Sequence, residues 1–190
     1  MLGLLKRCVA IISEQRVLFV LLNWLFFGTM LLTPFFAPSQ YVEPNEKFFN
    51  DLSARDNMLL AMLNIFFFNL LVSAFALVTL TGFLFFGIPV VFLLIRAWLW
   101  GALLNCISTT HLLIALPTLV LEGEGYVLAT LAGVSVGLSW LKPQWVFKEK
   151  LSRLDAFKRA LREFGYIYVL VVIFLFAAAI VETMTLVLIG

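Results

Sequence analysis

The sequence predicts an all-α integral membrane protein. It forms one polytopic domain, residues 1–190, of about five transmembrane helices, one of them broken near residues 117–125, with amphipathic helices at the interfaces. Three observations carry this. Apolar residues make up 63% of the chain and charged residues 13%, where a soluble domain averages about 45–50% and about 25%. The mean hydropathy is +1.07, and the apolar residues fall in runs long enough to cross a hydrocarbon core of ~30 Å. The charges lie between these runs, with four exceptions: Arg96, Glu122, Glu124 and Glu182.

Residues 2–15 read as a short interfacial helix leading into a first span at about 17–37. Nothing after that run resembles a cleavage site, so it reads as a retained span. Residues 45–57 place Phe48, Phe49 and Leu52 on one side of a surface helix. The second span runs from about 58 to 80, Gly82 opens a tight turn, and the third span is about 83–104. The next apolar run, 111–140, is 30 residues long, or ~45 Å as a straight helix at 1.5 Å per residue. It contains Pro117, Gly123 and Gly125. Two half-helices, 108–121 and 125–140, are therefore expected, with irregular backbone covered by protein or a water-lined cavity. In 144–163, Trp145, Phe147, Leu151, Leu154, Phe157, Leu161 and Phe164 interleave with basic residues at near-helical spacing, as in an amphipathic interfacial helix. The last span is about 165–188.

The distribution of charge orients the spans. Lys6, Arg7 and Arg16 precede the first, and seven basic residues from Lys142 to Arg162 crowd one later segment. The loop 38–57 instead carries Glu43, Glu46, Asp51 and Asp56 against Lys47 and Arg55. Basic loops stay cytoplasmic. The N-terminus and the segment 142–163 are therefore expected inside, and the loop 38–57 and the C-terminus outside, in a multi-pass protein of the cell membrane. The same rule requires 111–140 to make one net crossing.

A charge at the bilayer centre costs roughly 2.5–3.5 kcal/mol even on lenient insertion scales, so each of the four needs a reason. Asn69, Arg96, Glu122 and Glu182 are expected to converge on an intramembrane polar cluster. An Arg96–carboxylate pair would offset much of the burial cost. A proton or cation site at Glu122 and Glu182 is the sharper alternative. Glu124 reads as a cap on the second half-helix, where a carboxylate meets orphan N–H groups and the positive dipole end. Pro117, Gly123 and Gly125 mark the break. Ala129, Gly133 and Gly137 have the small-xxx-small spacing that lets helix backbones approach, with another span of this chain as the preferred partner and a second subunit as the other.

His111 is the sole histidine. No metal-ligand pattern, no cofactor motif and no GxSxG context accompanies it, so no metal, cofactor or catalytic residue is assigned. Cys8 and Cys106 are expected on opposite faces. Cys8 beside the membrane is a candidate for acylation, with an idle thiol as the preferred reading. The basic segment 142–163 fits anionic headgroups. No domain is left to form a nucleic-acid groove.

With these residues placed, the chain resembles the stage II sporulation protein M family across residues 60–190. Asn69 closes an apolar run, Ile65-Phe66-Phe67-Phe68-Asn69, ahead of Gly82 and Gly87. Where the family has Asn-Gly-x-x-x-Gly, this chain has Arg96-Ala97-Trp98-Leu99-Trp100-Gly101. The family's Pro-His-Gly-x-x-Glu-x-Pro-Ala appears as Pro117-Thr118-Leu119-Val120-Leu121-Glu122-Gly123-Glu124-Gly125, and its late Ala-x-x-Glu has its counterpart in Ala178-Ala179-Ile180-Val181-Glu182. His-Gly has become Thr118-Leu119, and the Pro after the Glu has become Glu124. The spore-former member is similar to a membrane subunit that anchors cell-wall hydrolases. The resemblance implies a non-enzymatic scaffold whose partners are lipids, other membrane or envelope proteins, or a second copy of the chain. The alternative is a small proton or cation transporter.

Overall fold

The computed structural model describes residues 2–36, 57–105, 109–147 and 149–189. Seven helices follow in order: α1 (Leu2–Glu14), α2 (Arg16–Phe36), α3 (Met58–Leu84), α4 (Ile88–Leu104), α5 (Thr109–Leu141), α6 (Pro143–Val146) and α7 (Arg153–Ile189). Among the described residues α2, α3, α5 and α7 are long and apolar enough to cross a membrane, and α4 is a shorter apolar helix. At 17 residues, α4 spans ~25 Å, at the low end for a crossing. The surface loop 38–57, apart from Asn57, lies outside the described residues, as does Cys106.

Helix α5 is the axis of the bundle. Residues 125–139 are buried without interruption, because α2, α3, α4 and α7 all pack on it. A helix apolar all round has no reason to face water. The hairpin α5–α7 is the most extensive contact. Its closed end is a small cluster of Val136, Phe147, Ala156 and Ala160.

Three expectations need correction. First, α5 is not broken: it is continuous from Thr109 to Leu141 with Pro117 inside it. Its glycines serve packing. A Cβ on Gly123 would lie 2.6 Å from a ring carbon of Phe26, and one on Gly125 would lie 2.7 Å from Leu175 Cδ2. With no second half-helix there is no N-terminus for Glu124 to cap. Its carboxylate lies near the Asn23 side chain on α2.

Second, Gly82 is helical, and the turn falls at 85–87, ahead of Pro89 in the first turn of α4. Gly82 is required by contact: a Cβ there would collide with the backbone of Gly133, and one on Gly137 with the carbonyl of Gly82. The small-residue row of α5 thus seats on α3, where dispersion between close backbones replaces the hydrophobic drive that lipid removes. Ala129 joins it through its carbonyl, 3.0 Å from the Thr79 hydroxyl.

Third, the amphipathic segment is not a helix apart from the last span. Only α6 forms before Arg153, and α7 then runs unbroken through Gly165. Its start is a Ser152 cap, whose Oγ receives the Asp155 N–H at 3.2 Å, as serine does at helix N-termini.

The irregular backbone appears elsewhere, in α3. Residues Phe68–Thr79 form a π-helix, closed by i→i+5 bonds. Its buried residues include Asn69, Ser73, Ala74, Val78 and Thr79, one or two positions per widened turn. Nine residues are two and a half α-helical turns, so an α-helix would send Val78 to the face opposite Asn69. The wider turn keeps both inside. The Ala74 carbonyl receives the Thr79 hydroxyl at 2.9 Å and the Tyr168 hydroxyl of α7 at 3.2 Å.

Helix α1 is fastened to α7. Cys8 is fully buried, and its thiol donates to the Tyr166 carbonyl at 3.2 Å. Burial pushes that thiol above its ordinary range, which disfavours the nucleophilic thiolate and leaves no surface for acylation.

Two outcomes are expected. Gly82→Leu and Gly137→Leu will each lower the thermal midpoint in detergent by several degrees, consistent with an overpacking cost of about 1–3 kcal/mol. Gly28→Leu, where a Cβ meets nothing within 4 Å, will leave the midpoint unchanged. In a Cys106→Ala background, Cys8 will react with maleimide at least about tenfold more slowly in the folded protein than after denaturation, because access and thiolate fraction are both reduced.

Candidate functional site: a polar lock inside the bundle

Arg96, Asn69 and Glu122 come from three helices and meet at one point. Arg96 sits on α4, eight residues past Ile88. Its Nη2 lies 3.0 Å from Glu122 Oε1 on α5 and 3.4 Å from Asn69 Oδ1 on the π segment of α3. The fourth member is Tyr126, one turn beyond Glu122. Its hydroxyl accepts from Arg96 Nη2 at 2.8 Å and donates toward Glu122 Oε1 at 2.8 Å, with Asn69 Oδ1 at 3.0 Å. The Ser73 side chain lies near the phenol. The guanidinium lies 4.8 Å from the Tyr126 ring centroid and 5.4 Å from that of Trp100, an arrangement that adds cation–π attraction.

Burial is uneven across the pair. The Glu122 side chain is 6% exposed and that of Arg96 30%. The carboxylate therefore has almost no water to fall back on, and its stabilisation comes from Arg96 and Tyr126. Such a pair replaces solvation only if its remaining hydrogen-bonding capacity is also met. Asn69 and Tyr126 meet most of it.

Glu182 does not join the lock. It lies close enough to Glu122 and Arg96 to feel their charges, yet its buried Oε2 accepts no hydrogen bond. Among the described residues no basic group lies within ion-pair distance of it. Arg96 Nε and the Thr118 Oγ1 are buried without partners as well. His111 lies in the first turn of α5.

A second polar centre was not anticipated. Arg159 on α7 pairs with Glu163 at 2.8 Å, Glu14 at 3.1 Å and Glu149 at 3.2 Å, and stacks over Phe147 at 4.6 Å. Glu163 is buried and receives Gln15 Nε2 at 3.4 Å, and Gln15 in turn accepts from Ser135 at 2.5 Å. This network ties the α1–α2 junction to both arms of the α5–α7 hairpin. The i,i+4 spacing of Arg159 and Glu163 was a readable signal. Gln15 and Ser135 had none, since their meeting depends on the tertiary arrangement. Tyr126 could have been found four residues after Glu122, on the same helical face.

The family model of stage II sporulation protein M matches residues 17–185. The chain belongs to that family. The match takes in α2 as well as the residues from 60 onward, so the first span is part of the family's fold. With four long apolar helices, this member is an integral membrane protein. No curated protein and no solved structure matches the chain.

The lock makes a double-mutant prediction. Arg96→Met will destabilise the protein by about 3–5 kcal/mol, because Glu122 is left buried and uncompensated. Arg96→Met with Glu122→Met will recover most of the loss. Tyr126→Phe will cost about 1–3 kcal/mol through the unmet acceptors. Thermal or denaturant unfolding in detergent measures all three, and additive single effects would exclude a coupled pair.

Proposed function

We propose that this family member is a non-enzymatic scaffold of the cell membrane, holding other membrane or envelope proteins, or a second copy of itself. The observation that supports it best is the lock. Its charged and polar groups are turned upon one another and upon three helices of the same chain, in the manner of glue that fixes a bundle's shape. The lipid-facing surfaces of α2, α3 and α7 are broad and apolar. Trp24 is 75% exposed and Phe35 81%.

The orientation proposed from charge places the Arg159 network and the basic segment 142–163 on the cytoplasmic side and the C-terminus outside. Two shallow grooves of about 280 and 440 Å³ flank Trp145 at that end. Lys142 lies 4.2 Å over the Trp145 ring. Glu14 and Arg16 line the first, and Lys142 and Arg153 the second, whose composition suits anionic headgroups. Lipid contact there would anchor the scaffold's depth and leave its apolar flanks for partners.

The transport alternative, with Glu122 and Glu182 carrying protons or cations, is less well supported at Glu122, whose carboxylate is held by Arg96 and Tyr126. Glu182 is the residue that keeps that alternative in view.

Native mass spectrometry after extraction in mild detergent tests the scaffold. A retained partner or a dimer is expected, and a lone monomer would count against it. Proteoliposome flux tests the alternative: a proton or sodium flux in wild type that is lost in Glu122→Gln would replace the scaffold with a transporter.

A further inference from the structure

Glu124 has no helix end to cap, yet it lies near the middle of α5, the axis of the bundle. Its neighbours fix the direction in which it points. A Cβ on Gly123 would meet the rings of Phe26 and Phe27 on α2, and one on Gly125 would meet Leu175 and Phe174 on α7. Successive residues of an α-helix are turned by about 100°. Gly123 is therefore directed at α2, Gly125 at α7, and Glu124 at the gap between them. That gap is open, because α2 and α7 each pack on α5 but hardly on one another. Its floor runs along α5 toward the start of that helix. Leu113, Leu116 and Val120 are exposed at helical spacing, Glu124 is half-buried, and one turn further Leu128 is enclosed. The result is a groove of about three turns, or ~16 Å, that ends at the carboxyl.

The floor is apolar except at that end. Asn23 lies near the Glu124 carboxyl, but its amide also donates to the Phe19 carbonyl at 3.2 Å. That leaves one N–H at most for a group with about four acceptor sites. Lipid tails have no donor to add. A third helix laid between two others on such a floor gains packing along its length, and a polar contact within the bilayer sets its register. The complement of a carboxyl is a basic side chain. A second copy of this chain has none to offer. Residues 17–36, 58–84, 88–104, 112–141 and 165–189 contain one Lys or Arg, Arg96, and Glu122 holds it at 3.0 Å.

We propose that the groove between α2 and α7 is the docking seat for a transmembrane helix of another protein, one that places a lysine or arginine against Glu124. The proposal rests on the scaffold reading and gives it a location. Two carboxyls on one helix then divide the work. Glu122 fixes the bundle from within, and Glu124, two residues on and turned to the groove, selects what binds it.

The probe is a synthetic Leu/Ala helix of about 21 residues with one central lysine, labelled for energy transfer to the full-length protein in liposomes. Its control has leucine at the central position. The lysine peptide is expected to bind wild type about tenfold more tightly than the control. Glu124→Leu is expected to remove that preference, and Val120→Trp, which fills the floor, to weaken both peptides. Both variants are expected to keep the wild-type thermal midpoint, since both positions are open on the groove side. Equal binding of the two peptides to wild type, or a preference that survives Glu124→Leu, would overturn the assignment. Binding of neither peptide would overturn it too, as the result for a groove filled by lipid tails. So would a dimer in native mass spectrometry that Val120→Trp breaks, because the groove would then seat a second copy. Native mass spectrometry of wild type reads the scaffold and the peptide reads the groove, so one can fail without the other.

Discussion

The fold depends on placing one guanidinium inside a bundle with little water. Arg96 cannot shed its charge, and the helices around it are largely apolar. Every helix that touches it must therefore present an oxygen, a ring or a small residue. Helix α5 presents Glu122 and Tyr126, α3 presents Asn69, and α4 itself presents Trp100 one turn on. This requirement selects one rotation for each of three helices about its own axis. Apolar packing alone would tolerate many rotations, since lipid tails are as apolar as leucine. The pair thus specifies the arrangement more than it stabilises it, which is the best-attested use of buried ionic groups.

The π segment of α3 follows from the same demand. Asn69 must face Arg96, and ten residues later Thr79 must face the Ala129 carbonyl and Tyr168. Regular α-helical winding cannot keep this stretch of α3 turned inward along its whole length, so the helix widens. The freed carbonyl of Ala74 is then collected by Thr79 and Tyr168. Irregular backbone within a membrane is tolerated when protein covers it, and here a hydroxyl pair on two helices does so.

Much of this was legible from the residues. The apolar runs mark the place of α2, α3, α4, α5 and α7, because hydropathy is a sum over many positions, although α7 begins about a dozen residues before its apolar run. The polar residues Asn69, Arg96 and Glu122 stand out because their burial is expensive wherever the chain puts them. A residue type that serves two purposes is harder to place. Pro117, Gly123 and Gly125 look like a break, yet the glycines of α5 are sites of close approach to Phe26 and Leu175. Gly82 looks like a turn and is a contact with Gly133. The π-helix left no mark in composition, since its inward set follows a winding no one would assume. The link from Arg159 and Glu163 to Glu14 and Gln15 was hidden for another reason: these partners lie about 150 positions apart in the chain.

That separation affects the order in which the protein is assembled. The thiol of Cys8 waits for Tyr166, Gln15 for Glu163 and Glu14 for Arg159, each across about 150 positions. During synthesis the first helix emerges long before any of these partners exists. Until α7 is made, α1 lacks its main partner and has α2 to pack on. Helix α7 is therefore the one that closes the structure around α1. A chain stopped short of α7 leaves α1 unfastened and the groove between α3 and α5 open to the bilayer.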